Sequence, residues 1–124
     1  MEQKTPIIGY RQLTPEDIEL VNALKAKGAE LLAFYDLITS RLNNQGNTLW
    51  ANEQNAGVLA RAKEGKLGEE DEHAAALEAH KQAEAAFASY QKAEPFRWAA
   101  MGRSDIQKGM MCLIRAVTQP DSPC

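Results

Sequence analysis

The chain has 124 residues, of which 44% are hydrophobic and 25% charged, and a formal net charge of −3. That length supports one modest domain and is too short for two independent cores. The acidic balance disfavours DNA, which needs a broad basic surface. No apolar run reaches transmembrane length, so no membrane partner is expected.

The first 13 residues hold Pro6 and Gly9 and read as an extended lead-in. Thr14-Pro15-Glu16-Asp17 then announces a helix: threonine caps it, proline at the first position needs no hydrogen bond, and acids suit the dipole. An apolar heptad seam follows at Val21, Leu24, Gly28, Leu31, Tyr35, Ile38 and Leu42. The helix is expected to end near Asn43, in the breaker stretch Asn43-Asn44-Gln45-Gly46-Asn47. Residues 48–63 read as a short, weakly amphipathic helix and Gly65-Lys66-Leu67-Gly68 as a turn. Glu69 to Ala93 is alanine-rich and strongly helical by propensity, and it opens on four acids. Pro95 either starts a new helix or kinks a longer one, and a break or bend at Glu94-Pro95 is favoured because proline suits the first helical turn.

From Pro95 to about Thr118 a final helix carries two faces. Ala99, Gly102, Ile106, Gly109, Leu113 and Ala116 fall on one, with Met110 and Val117 beside them. Arg97, Ser104, Lys108 and Arg115 line the opposite face. Glycines at seam positions, which cost a helix about 1 kcal/mol each, predict close approach of another backbone at Gly28, Gly102 and Gly109. The two long helices are therefore expected to pack antiparallel. The same pattern fits a tightly packed helix with a solvated polar back, or an oligomer seam with an anion site beside it.

Charge is distributed unevenly. Residues 46–94 hold nine acids against five bases, and residues 95–124 hold four bases against two acids. A locally basic helix in an acidic protein suits a small anionic ligand. Tyr10-Arg11 and Lys25 add an aromatic ring and a cation, the pair that stacks on a base and meets its phosphate; they are also common residues that fit a plain solvated surface. His73 and His80 lie seven apart, about 10 Å along a helix, too far to share one ion, and read as surface histidines. Metal-ligand spacing, a nucleophile elbow and a phosphate-cradling glycine loop are all missing, so neither metal nor cofactor nor catalysis is expected. Cys112 and Cys124 form no disulfide framework, and the start MEQKTPIIGY does not read as a signal peptide, which points to a reduced, cytoplasmic protein.

Three blocks together resemble one family: Gly9-Tyr10-Arg11 to Thr14, then Val21-Asn22 through Lys25 to Gly28, then Arg97-Trp98 through Met101-Gly102-Arg103-Ser104-Asp105-Ile106-Gln107 to Gln119-Pro120. They are similar to the bacteriophage cyclic-nucleotide sponges that counter the CBASS and Thoeris defences. The resemblance implies an all-α, antiparallel helical hairpin that assembles as a homo-oligomer, typically a hexamer. Here it would be a single domain over 1–124, with residues 46–93 an additional helical segment. The family holds immune second messengers, cyclic oligonucleotides or cyclic ADP-ribose isomers, without cleaving them. Tyr10 and Lys25, with Arg11 beside them, match the family's contacts to a cyclic dinucleotide. Arg97, Arg103, Ser104 and Gln107 are the candidates for a second site, for cyclic trinucleotides. A structural coiled-coil adaptor without a nucleotide ligand is the alternative. Reach favours a shared pocket: ten helical residues carry Lys25 about 15 Å from Pro15, while the four steps from Tyr10 to Thr14 span at most about 14 Å. Tyr10 of one subunit is therefore expected to face Lys25 of a neighbour.

Overall fold

The computed structural model describes residues 12–120. Among these the protein is all-α, with three helices: α1 (Pro15–Lys63), α2 (Glu70–Lys92) and α3 (Pro95–Thr118). Tyr10, Arg11 and the rest of the lead-in up to residue 11 lie outside the described residues.

The start of α1 follows the sequence. Asp17 donates its backbone N–H to Thr14 Oγ1 at 3.2 Å, and Thr14 donates its own to Asp17 Oδ2 at 3.1 Å. This reciprocal box satisfies two of the N–H groups that a helix end leaves unpaired. The end of α1 corrects the sequence reading, because the helix does not stop near Asn43 but continues through the amide-rich stretch to Lys63. Packing overrides the weak propensity there. Gly46 makes room for Tyr90, whose hydroxyl would lie 2.8 Å from a Cβ at that position. The same hydroxyl donates to the Leu42 carbonyl at 2.8 Å.

Gly65 and Gly68 form the expected turn, with φ of 72° and 81°. Between α2 and α3 the chain breaks rather than kinks. Glu94 adopts φ 49°, a left-handed conformation that ends α2 before Pro95 opens α3.

The described residues fall into two compact units. One holds α1 as far as Asp36 together with α3 from Ala100; the other is Leu37–Ala99. In the first unit α1 and α3 run antiparallel: Val21 shares a groove with Thr118, Gly28 faces Met110, and Tyr35 lies under Arg103. Gly28 is buried, and the Met110 thioether fills the space that a side chain there would take. A side chain, rather than a backbone, thus makes the close approach predicted at Gly28. Gly102 and Gly109 are a second correction, because both are exposed and face open space. The face of α3 turned to α1 is instead Ile106, Met110, Ile114 and Val117, all half-buried, ending at buried Thr118.

The second unit pairs the rest of α1 with α2, also antiparallel: Gly46 meets Tyr90, Gly57 meets His80, and Lys63 meets Glu72. His73 and His80 are not free surface residues as expected. Both are half-buried, and a Cβ at Gly57 would lie 3.1 Å from His80 Nε2. Glu84 Oε1 lies 3.1 Å from that nitrogen.

Both pairs are only two helices thick, and little is buried. Among the described residues the buried apolar side chains are Val21, Ala60 and Ala76, whereas Leu31, Phe34 and Leu113 stay 49%, 57% and 57% exposed.

Two substitutions test these contacts by thermal or urea unfolding. Gly28→Leu overpacks the Met110 site and is expected to lower stability by about 1–3 kcal/mol. Tyr90→Phe removes one hydrogen bond to a carbonyl that the helix already uses, for a loss of about 0.5–1.5 kcal/mol.

Candidate functional site

Along the flank of the first unit the side chains of α1 and α3 frame an open groove of about 460 Å³. Leu13, Ile18 and Val21 supply apolar wall from the α1 side, and Met111 and Ile114 from α3. Asn22, Lys25, Arg115 and Thr118 supply the polar atoms. Helical periodicity explains the grouping. Ile18, Asn22 and Lys25 succeed one another at spacings of four and three on α1, as do Met111, Arg115 and Thr118 on α3, so each set lies on one flank of its helix.

The groove is electropositive by composition. Among the described residues no acid lines it, and neither Lys25 nor Arg115 is in an ion pair with another of them. The helix dipoles nearly cancel, since α1 begins and α3 ends beside it. The two side-chain cations therefore decide its sign. Its size lies in the range of small-molecule sites, roughly 300–1,000 Å³, and apolar walls around a few polar groups suit an organic anion such as a nucleotide.

Other concavities are less suited. An open surface of about 650 Å³ runs past Ser40, Arg41, Asn44 and Thr48, but the described residues lining it all belong to α1 and only one of them is a cation. A smaller groove of about 210 Å³ at the turn after α1 holds Lys63, Lys66, Glu70 and His73. Lys63 is already taken there: it donates to Glu72 at 3.0 Å and lies 4.0 Å from Glu69. The hydrogen bond and the charge of Glu72 hold its ammonium above the ordinary lysine value. Carboxylates nearby make this groove a poor host for an anion.

The residues singled out from sequence are thus spread out. Lys25 is in the groove. Arg103 is exposed and lies over the Tyr35 ring, 5.4 Å from its centroid. Ser104 and Gln107 are exposed on α3 in the same unit. Arg97 belongs to the other unit, bonded to Glu94 at 2.9 Å and stacked 5.5 Å from the Trp98 ring centroid. Thr118 had no distinguishing pattern in the sequence, and Asn22 stood out only as a member of the second family-like block. Arg115 had one, its place on the basic face of α3. Among the described residues no cluster of three or more histidine, cysteine, aspartate or glutamate side chains could hold a metal, and no helix is long and apolar enough to cross a membrane.

Fold and groove together describe an all-helical protein with a cationic, apolar-walled cleft matched to a small organic anion. Sequence comparison carries the assignment further. A protein of Pseudomonas phage JBD67, Anti-CBASS protein 2, is 38% identical over 119 residues, which cover 96% of this chain and 95% of the relative. The chain belongs to that anti-CBASS protein family. No family model matches the chain.

Arg103 can be separated from a ligand-binding role by stability. Arg103→Ala is expected to cost about 0.5–1 kcal/mol through the lost cation–π contact. Ser104→Ala, on an exposed position, should stay within about 0.5 kcal/mol of the parent. Thermal denaturation without ligand reads both.

Proposed function

We propose that the protein counters CBASS signalling by binding cyclic nucleotide second messengers and holding them intact. The groove between α1 and α3 is the site, Lys25 and Arg115 are its phosphate-facing cations, and its apolar walls lie against the sugar and base. The single observation that carries the reading is this pair of cations, without an ion-pair partner among the described residues, in a groove that no described acid lines, in a chain that belongs to an anti-CBASS family. The effect follows from mass action. Bound messenger is withdrawn from the effector it would activate, and no bond in it needs to break. A sponge must outcompete the effector, which requires an enclosed and preorganised pocket. The groove is open on one side, so the remaining cover is assigned to a second copy of the chain.

Exposed apolar surface supports such assembly. Leu20 and Leu31 on α1 and Leu113 on α3 are between 49% and 57% exposed, and Gly102 and Gly109 leave room for close contact. Helical-wheel positions put this surface on the flank opposite the groove. Association there and closure of the groove would involve different neighbours, as in a closed homo-oligomer such as a hexamer. Arg97, Ser104 and Gln107 remain candidates for a separate trinucleotide site, and Tyr10 with Arg11 for closing the groove from a neighbouring subunit.

Titration calorimetry with cyclic GMP–AMP, followed by analysis of ligand released on heating, tests the reading. Binding with release of intact ligand is expected, and Lys25→Ala should weaken it by about 1.5–3 kcal/mol. No binding to cyclic di- or trinucleotides would leave the adaptor alternative, and hydrolysed product would make the protein an enzyme. Assembly has its own test in Gly109→Leu. Within the chain the new side chain meets open space, so it should lower the oligomer mass in sedimentation without loss of helicity. An unchanged oligomer would place the association surface elsewhere.

A further inference from the structure

Two side-chain oxygens among the described residues are shut off from solvent without a hydrogen-bond partner: Glu69 Oε2 and Thr118 Oγ1. Glu69 has Lys63 within 4.0 Å to offset its charge. Thr118 has no such compensation. It is 8% exposed overall, it lines the groove, and it sits on the last turn of α3 next to Arg115. A threonine in a helix commonly returns its hydroxyl to the carbonyl four residues back, and Thr118 does not. An unpaired buried hydroxyl is unfavourable in the free protein, so a bonding partner that arrives with a ligand would remove a penalty as well as add a contact. Helical threonine divides between two side-chain rotamers, and a hop between them re-aims the hydroxyl without moving the backbone.

We infer that Thr118 is a ligand-contacting and specificity-determining residue at the floor of the groove, its hydroxyl hydrogen-bonded to a polar atom of the bound nucleotide, with Arg115 on a phosphodiester beside it. The inference rests on the nucleotide reading of the groove and adds to it. Lys25 is exposed at the rim and Thr118 is buried, so the two residues touch different parts of the ligand. A sealed polar group also discriminates. Ligands that reach the floor with a hydrogen-bonding atom are favoured, and those that present carbon there leave the hydroxyl unpaired and are rejected.

Thr118→Val separates this role from a structural one, because valine keeps the shape and the β-branch and removes only the hydroxyl. The free variant is expected to melt at the parent temperature or higher, and to bind cyclic GMP–AMP about tenfold more weakly. Thr118→Ser should retain most of the affinity, and Arg115→Gln should lower both the affinity and its dependence on salt. If Thr118→Val binds as tightly as the parent, the inference is wrong while the nucleotide reading stands. A lower melting temperature for Thr118→Val without ligand would show that the hydroxyl serves the fold, and would overturn the inference as well. If the parent protein binds neither cyclic GMP–AMP nor cyclic triadenylate, the nucleotide reading falls and this inference with it.

Discussion

A helix packed against a single partner can hide only one stripe of its surface, and nearly everything else in this protein follows from that limit. In each unit the hidden stripe is narrow and uses small residues to bring the helices together. Gly28 accepts Met110, Gly46 accepts Tyr90, and Gly57 lies against His80. Each contact is local and none builds a deep core, since no side chain among the described residues is fully buried. Apolar groups that such a stripe cannot cover are left on the flanks. In the first unit one flank is mostly apolar, with Leu31 and Leu113, and the other is the cationic groove. A greasy flank and a polar cleft on opposite sides would suit the assembly proposed above, in which one neighbour covers the apolar flank and another closes the cleft.

The chemistry of the groove depends on what it omits. A lysine and an arginine beside one another repel, and most proteins place a carboxylate nearby to neutralise them. Lys27 and Arg97 elsewhere in this chain have such partners, Glu30 at 3.6 Å and Glu94 at 2.9 Å. Lys25 and Arg115 have none among the described residues, although the protein as a whole is acidic. Local positive charge held against global negative charge is the pattern expected of a site for a compact anion, because a long polyanion would meet repulsion beyond the groove.

Much of the fold could be read from the sequence, and the misreadings have physical causes. The cap at Thr14, the turn at Gly65–Gly68 and the break at Pro95 all rest on residues with strong backbone preferences. The heptad row Val21, Gly28, Tyr35, Leu42 is buried or half-buried as read. Its companion row starts half-buried at Leu24 and then leaves the interface. Leu31 and Ile38 stay exposed, while Leu32 and Thr39 turn inward. An α-helix has 3.6 residues per turn, so a strict 3.5-residue seam drifts by about 20° per heptad and a neighbouring position takes over. Asn43–Asn47 misled because isolated propensity says nothing of Tyr90, 48 residues from Leu42 in sequence, which holds that stretch in place. Gly102 and Gly109 misled because a small-residue stripe signals a close neighbour without saying whether the neighbour is the same chain. For the groove, Lys25 was legible as a seam-edge cation. Arg115 was visible only as part of a basic face, and Thr118 not at all. Nothing in the sequence marks a hydroxyl as unpaired, since pairing is a property of the packed end of α3.

The central claim is that ligand is held by the first turns of α1 and the last turns of α3, while the α1–α2 pair serves as scaffold. Hydrogen–deuterium exchange of the full chain, with and without saturating cyclic GMP–AMP, tests it most directly. The account predicts added protection concentrated in peptides covering residues 13–28 and 110–120, with the α2 peptides unchanged. Protection centred on α2 and the second half of α1, or none anywhere at saturation, would contradict it.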